Sequence, residues 1–274
     1  MDLWWRVTQT GVCKMVKKPT ISARFKAAKR KIFPRREPKI GDLEFQGEKT
    51  VKEDIKEKYG FDGDILDIFV NTRGVLVNKW HHYIPIYDRY LSRFRGTKVR
   101  FLEIGVSKGG SLQMWRRYLG DDAVIFGIDI DPDCARYDGQ AGQVRIGSQT
   151  DAVFLASVIK EMGGVDVILD DGSHHMDHIP ASLNALFAQL DDGGLYLIED
   201  LHTAFMRKWG GGHGRKENFF VVLLQIIKDM HGWYHYKKIE YGGVSGHCSG
   251  IHVHDSVVVL EKNKVFRPTF SQIS

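Results

Sequence analysis

Long apolar runs are absent from this sequence of 274 residues. None approaches the roughly 20 residues that a bilayer-spanning helix needs, and the first residues lack the apolar segment of a signal peptide. Cysteines are few, and Cys13, Cys134 and Cys248 have spacings typical of neither a disulfide framework nor a metal site. We therefore expect no transmembrane helix and a cytoplasmic protein with reduced thiols.

A large excess of charge is also lacking. The chain has 39 lysine and arginine residues, 34 aspartate and glutamate residues and a formal net charge of +5, and much of the excess precedes residue 40. The rest of the chain is nearly neutral, so no groove that follows nucleic-acid phosphates is indicated. We expect one substantial folded core, a basic N-terminal extension and no nucleic-acid partner.

The basic extension contains apolar residues at helical spacing, namely Ile21, Phe25, Ala28 and Ile32. Such a helix could make weak contact with an anionic membrane surface through residues 1–40. The alternative is an arm, or a helix packed on a partner subunit, because prolines interrupt the segment and its apolar face is short. We also expect a homo-oligomer, of an order that the sequence does not specify.

A glycine-rich turn joins the first clear strand to a helix. Val99–Ile104 is rich in strand-forming residues, Ser111–Leu119 has helical apolar spacing, and Val124–Ile130 returns to a strand pattern. The glycines between the first two elements are Gly105, Gly109 and Gly110. A turn of this kind brings backbone N–H groups close to a ligand, and Asp129, near the end of the next strand, could accept ribose hydroxyls. A purely structural turn remains the alternative, because doubly wound folds commonly contain one.

Acidic residues and histidines follow two further strands. Val165–Leu169 precedes Asp170, Asp171, His174 and His175, whereas a turn at Gly193 and Gly194 leads into Leu195–Ile198, which precedes Glu199, Asp200 and His202. Open α/β sheets place their sites at the carboxyl ends of parallel strands. The cluster predicts either a site for a hard cation or a hydrogen-bonded polar network. Burying several carboxylates together is costly, which favours the cation.

These motifs resemble a known family. "FLEIGVSKGGSLQMW" and "IFGIDIDP" are similar to the first two motifs of the class I S-adenosylmethionine-dependent methyltransferases. The resemblance is strongest to the macrocin- and mycinamicin-type sugar O-methyltransferases, the rhamnosyl O-methyltransferases and the cephalosporin hydroxylase-like proteins. It implies an α/β fold, a Rossmann-like doubly wound sheet of seven strands that ends in an antiparallel β-hairpin.

The resemblance also implies functions for individual residues. In "DDGSH" and "IEDLHT", Asp171, Glu199 and Asp200 would hold Mg²⁺ or another hard divalent cation, and His174 would be the general base. The residues expected to contact S-adenosylmethionine are Glu103, Gly105, Ser111, Asp129, Ser148, Gln149, Asp151, Asp170, His82 and Tyr83. Asp170 and His202 are also expected to contact and orient the metal ligands without binding the metal themselves. Two alternatives stay open: Asp151 could simply cap a helix, and the aromatic residues of "KWHHYIPIYDRYLSRF" could simply form core.

The predicted organisation is a basic extension at 1–50, a helical lead-in that covers the cofactor site at 51–98, the methyltransferase domain at 99–265 and a tail at 266–274. Within it, Val51–Tyr59 and Phe219–Met230 are expected helices, residues 203–216 a glycine-rich lid, and the segment from "WYHYKKIEY" onward the terminal hairpin. The predicted function is magnesium-assisted methylation of a sugar hydroxyl on a natural product or polysaccharide. The alternatives are a hydroxylase-like reaction, although no iron triad is evident, and a non-catalytic cofactor-binding scaffold.

Overall fold

The computed structural model describes residues 3–7, 13–17 and 39–273. The chain divides into two compact units, Met1–Gln46 and Gly47–Ser274. In the first unit, β1 (Leu3–Val7) pairs antiparallel with β2 (Cys13–Lys17), and a short 3-10 helix spans Ile40–Leu43. The basic amphipathic helix expected around Ile21–Ile32 lies outside the described residues. The hairpin was not predicted.

The second unit is built on a mixed sheet of seven strands with the order β5-β4-β3-β6-β7-β9-β8. Its strands are β3 (Arg100–Ile104), β4 (Val124–Asp129), β5 (Gln143–Ile146), β6 (Val165–Asp170), β7 (Leu190–Ile198), β8 (Cys248–Val253) and β9 (Val258–Lys262). The pairs among β3 to β7 are parallel, whereas β9 is antiparallel to β7 and β8 is antiparallel to β9. The predicted sheet and terminal hairpin are confirmed.

Seven helices of the described chain accompany this sheet: α1 (Val51–Tyr59), α2 (Asp64–Val70), α3 (Tyr83–Leu91), α4 (Gly110–Leu119), α5 (Ala152–Met162), α6 (His178–Leu186) and α7 (Phe219–Met230). The helices predicted at 51–59 and 219–230 are confirmed residue for residue. Among residues 3–7, 13–17 and 39–273, no helix is both long enough and apolar enough to cross a membrane.

Both faces of the sheet are buried. Phe101 of β3 contributes to a hydrophobic cluster on one face with α2, α3 and α4, whereas Leu102 and Ile104 contribute to a second cluster with α5, α6 and α7. A parallel strand that is covered on both sides reads as an unbroken apolar run, which is why these strands were recognisable in the sequence. Cys134 and Cys248 are buried free thiols.

Three expectations about elements were wrong. Helix α3 begins at Tyr83, so Trp80 precedes it, although Tyr83, Ile84, Tyr87 and Leu91 are fully buried as expected for a core face. Strand β7 begins at Leu190 and contains the predicted turn glycines, because its pairing with β6 shifts register between Val165 and Val167. The segment "WYHYKKIEY" is not a strand. No residue from Trp233 to Tyr241 is buried, so neither face of that segment is covered as a sheet would require.

Candidate active site

A cavity of about 490 Å³ opens at the carboxyl ends of β3, β4 and β6. The glycine turn forms one wall. A Cβ at Gly105 would lie 2.2 Å from the carbonyl oxygen of Asp171, and one at Gly110 would lie 2.1 Å from the carbonyl oxygen of Leu76. Only glycine therefore permits these backbones to approach each other, and at Gly105 the φ of +99° imposes the same restriction.

Asp129 lies on the cavity wall and shapes the same turn. Its Oδ2 accepts hydrogen bonds from the backbone N–H groups of Val106 and Ser107, both at 2.9 Å. Its Oδ1 accepts a bond of 2.9 Å from the N–H of Asp131. The carboxylate predicted to bind ribose is thus held at the carboxyl end of β4, beside the glycine turn.

Glu103 lies behind the cavity wall, since its side chain is fully buried. Its carboxylate accepts hydrogen bonds from Ser111 Oγ at 2.8 Å and Trp115 Nε1 at 3.0 Å. Burial raises the pKa of Glu103 to about 7, against the opposing attraction of the Lys79 ammonium. Ser111 itself lines the cavity, so the predicted contact of Glu103 with the methionine moiety would have to be made through its neighbours.

Ser148 and Gln149 line the cavity on the side of β5. Gln149 Oε1 accepts a hydrogen bond of 2.8 Å from the N–H of Ser173, and its Nε2 donates to Asp170 Oδ1 at 3.2 Å. Asp170 is buried and also accepts bonds from Ser182 Oγ and Tyr196 OH. Desolvation raises its pKa. Asp170 therefore anchors the turn after β6 from inside the protein.

Asp151 has the role that the alternative interpretation gave it. It is the N-cap of α5, and its Oδ1 accepts hydrogen bonds from the N–H groups of Val153 and Phe154 at 3.0 and 3.1 Å. It does not line the cavity in the described chain. Its predicted contact with adenine stays a prediction.

Asp171, His174 and Asp200 form the acidic rim of the cavity. One ligand atom from each lies within 4.8 Å of the others. His174 Nε2 is 3.9 Å from Asp171 Oδ1 and 3.6 Å from Asp200 Oδ2. The two carboxylates at this spacing fit a hard divalent cation, and the imidazole lies beside them. His174 and Asp200 have φ values of +58° and +56°, a strained backbone conformation that is concentrated at functional sites.

Lys79 was not predicted, although it begins the "KWHHY" segment. Its Nζ donates to Asp171 Oδ2 at 2.6 Å and to Glu199 Oε2 at 2.8 Å, and its side chain is 2% exposed. The two carboxylates hold the pKa of the ammonium above its usual value in spite of burial. Glu199 Oε1 accepts a hydrogen bond from Tyr87 OH, so the third predicted metal ligand is bound to two donors.

Two aromatic residues of the "KWHHY" segment contact Asp200 of the rim rather than the cavity. Tyr83 OH donates to Asp200 Oδ1 at 2.8 Å, and Trp80 Nε1 donates to the same oxygen at 3.2 Å. Burial raises the pKa of Tyr83, so the phenol stays a donor. His82 lies 3.1 Å from the carbonyl oxygen of Asp255. Neither His82 nor Tyr83 lines the cavity, and their predicted contact with the cofactor stays a prediction.

The glycine-rich segment predicted as a lid packs on the turn that carries His174. The N–H of Met176 donates to the carbonyl oxygen of Trp209 at 2.9 Å, and Thr203 Oγ1 donates to that of His174 at 3.2 Å. His202 Nδ1 lies 2.7 Å from Ser256 Oγ, and burial lowers its pKa. His202 therefore faces the loop before β9 and supports the rim from behind.

Comparisons with known proteins find similarity to methyltransferases. Residues 102–201 match the model of a methyltransferase domain family, Methyltransf_24. The chain is 34% identical over 197 residues to the "8-demethyl-8-(2-methoxy-alpha-L-rhamnosyl)-tetracenomycin-C 3'-O-methyltransferase" of Streptomyces olivaceus, covering 68% of this chain and 50% of that protein. It is 32% identical over 206 residues to the "Demethylmacrocin O-methyltransferase" of Streptomyces fradiae, covering 70% and 52%.

Among solved structures, the chain is similar to the MycE methyltransferase of the mycinamycin biosynthetic pathway, in complex with Mg and SAH. The TM-score is 0.61 at 29% sequence identity, covering 78% of this chain and 55% of that one. The chain thus spans about half the length of the relatives that it matches. On its domain match, its relatives and its sheet, the chain belongs to the class I S-adenosylmethionine-dependent methyltransferases and resembles their sugar O-methyltransferases.

Proposed function

We propose that this chain transfers a methyl group from S-adenosylmethionine to a sugar hydroxyl of a glycosylated natural product or polysaccharide, with the help of a hard divalent cation such as Mg²⁺. The observation that carries the proposal is the position of Asp171, His174 and Asp200 on the rim of the cavity beside the glycine turn. The names of the sugar O-methyltransferases that the chain resembles support the choice of acceptor.

The cavity fits the donor in size and in lining. Its volume of about 490 Å³ lies within the usual range for small-molecule pockets. Ile104 and Ile128 supply apolar wall, while Asp129 and Ser148 supply polar groups at the strand ends. We assign Asp129 to the ribose and Gln149 to the adenine side, and the glycine turn to the methionine moiety.

The proposed reaction is an in-line displacement at the methyl carbon. The bond from carbon to the acceptor oxygen forms as the carbon–sulfur bond breaks, and the sulfur leaves as a neutral thioether. A sugar hydroxyl is a poor nucleophile until it loses its proton, and we assign the acceptance of that proton to His174 Nε2, which lies at the rim 3.6 Å from Asp200 Oδ2. A divalent ion held by Asp171, Asp200 and the predicted third acid, Glu199, would supply Lewis-acid polarisation of the acceptor.

The test is methyl transfer from labelled S-adenosylmethionine to a panel of glycosylated acceptors. His174→Asn removes the imidazole but retains a residue that tolerates positive φ, and we expect a loss of about 100-fold or more. Asp171→Asn and Asp200→Asn should abolish transfer, as should EDTA. Asp121→Asn, at an exposed position, is the control and should behave as wild type. Full activity of all three site variants in EDTA would contradict the proposal.

Calorimetric titration with S-adenosylhomocysteine tests the donor site separately. Folded protein that does not bind it would contradict the assignment of the cavity. A cytoplasmic location, a homo-oligomer and a weak membrane contact through residues 1–40 stay predictions, supported by the scattered cysteines for the first and by the basic residues for the last. Sedimentation, with and without anionic vesicles, would measure the last two.

A further inference from the structure

Lys79 is a buried cation that the proposed reaction does not use. Its ammonium bridges Asp171 Oδ2 and Glu199 Oε2, at 2.6 and 2.8 Å, and lies 5.7 Å from the centre of the Tyr87 ring. Burying an ammonium is costly unless it is paired and hydrogen-bonded, and here both conditions are met. The arrangement ties the segment before α3 to the ends of β6 and β7.

Lys79 also lies between the cavity wall and the acidic rim. It lines the cavity, together with its neighbours Leu76, Val77 and Asn78, and it contacts Asp171 on the acidic rim. The other oxygen of Asp171, Oδ1, faces His174. One carboxylate is therefore shared between the ammonium and the candidate cation site.

Charge balance gives this position a function. When ionised, Asp171, Glu199 and Asp200 carry three negative charges, and the ammonium cancels one of them. We propose that Lys79 is a built-in monovalent cation that limits the strength with which this site binds metal and makes the site selective for divalent over trivalent ions.

The inference rests on the proposed function for the existence of the metal site, but its test does not use catalysis. Coulombic repulsion between the ammonium and a bound ion scales with the charge of that ion. Removing the positive charge should therefore strengthen the binding of a divalent ion and strengthen that of a trivalent ion more. If Lys79 only positioned the carboxylates, every substitution would weaken both.

The experiment measures the affinities of the full chain for Mn²⁺, by electron paramagnetic resonance, and for Tb³⁺, by luminescence sensitised through Trp80, whose Nε1 is 3.2 Å from Asp200 Oδ1. Lys79→Met and Lys79→Gln both remove the charge, and the glutamine keeps a hydrogen-bond donor in case the methionine variant does not fold. We expect at least about a tenfold gain for Mn²⁺ and a larger gain for Tb³⁺. Lys79→Arg keeps the charge and should stay within about threefold of wild type.

Lys98→Met is the matched control, because it removes an exposed lysine charge outside the cavity. It should leave both affinities unchanged. Unchanged or weaker Mn²⁺ binding in folded Lys79→Met or Lys79→Gln, or no binding by any variant, would overturn the role of Lys79. Titration of wild type with S-adenosylhomocysteine, run in parallel, separates this outcome from failure of the proposed function: a protein that binds Mn²⁺ but not S-adenosylhomocysteine contradicts only the latter.

Discussion

At the scale of single residues, the ionisable side chains of the site pair with one another and shift one another's pKa. Glu103 has two neutral donors, Ser111 and Trp115, and the ammonium of Lys79 attracts its ionised form. Desolvation is the larger effect, so the folded protein favours the protonated form of Glu103 near neutral pH. This preference links the stability of the protein to pH.

Glu103→Gln should reveal that linkage. Because burial raises the pKa of Glu103 from 4.5 to about 7, ionisation favours the unfolded state as the pH rises between these values. Wild type should therefore lose stability relative to Glu103→Gln over this interval, by on the order of 3 kcal/mol in total, and the difference should be constant above pH 7. Denaturant unfolding at pH 5, 6, 7 and 8 measures it.

The control for this measurement is Glu217→Gln, which replaces an exposed carboxylate. Its unfolding free energy should follow that of wild type at every pH. The same pH dependence in wild type and Glu103→Gln would show that Glu103 is already ionised in the folded protein at pH 5, and that the hydrogen bonds from Ser111 and Trp115 outweigh its burial.

At the scale of elements, the strand ends were predictable because each strand is recognisable from its own short stretch of sequence. An unbroken apolar run predicts a covered parallel strand, and parallel strands present their carboxyl ends at one edge of the sheet. The placement of Asp129, Asp171 and Asp200 around one opening follows from these two rules. Helices α1 and α7 were recognisable in the sequence from their composition, α1 as a charged helix and α7 as an apolar one.

Lys79 was not predictable by such rules. It meets Asp171 and Glu199 across 92 and 120 residues of sequence, and a lysine ahead of a helix is ordinarily exposed. The bonds from Trp80 and Tyr83 to Asp200 were unpredictable for the same reason. Sequence periodicity shows that an aromatic face is buried, but it does not show which carboxylate the polar atoms of that face reach. The hairpin of β1 and β2 was missed because its basic residues favoured the interpretation as an arm.

The turn between β3 and α4 depends on close backbone contact, which Gly105→Ala would break. The new Cβ would lie 2.2 Å from the Asp171 carbonyl oxygen, at a φ of +99°. Gly163→Ala is the control, because Gly163 also has positive φ, +78°, but a Cβ added there would meet no atom within 4 Å. We expect a loss of unfolding free energy of about 3 kcal/mol or more for Gly105→Ala and about 1 kcal/mol for Gly163→Ala.

Denaturant unfolding of both variants measures this difference, and Mn²⁺ binding adds a second readout. Because the clash falls on the backbone of Asp171, Gly105→Ala should also weaken Mn²⁺ binding, whereas Gly163→Ala should not. Equal stability losses in the two variants would show that backbone strain, rather than contact between β3 and the turn after β6, determines the need for glycine.

At the scale of the whole molecule, every candidate site residue lies in the unit Gly47–Ser274. Both hydrophobic clusters belong to that unit, with Ile55 in α1 as their first fully buried residue. His81 Nδ1 lies 2.6 Å from Asp54 Oδ2, which ties α1 to the segment that carries Lys79. The unit therefore contains its own core and all the candidate site residues named above, and α1 is part of it.

A protein that consists of residues 47–274 should consequently fold and bind ligand as the full chain does. We expect its melting temperature to lie within about 3 °C of the full-length value and its affinity for S-adenosylhomocysteine to lie within about twofold. The matched comparison is a protein of residues 61–274, which lacks α1 and with it buried Ile55 and Asp54. This protein should lose several degrees of melting temperature and bind S-adenosylhomocysteine less tightly. The reason is that the cavity-lining segment that carries Lys79 loses its contact with α1. Calorimetry on the three proteins distinguishes the outcomes. Loss of binding in residues 47–274 would assign the first 46 residues to the site, whereas unchanged behaviour of residues 61–274 would place the true boundary of the fold after α1.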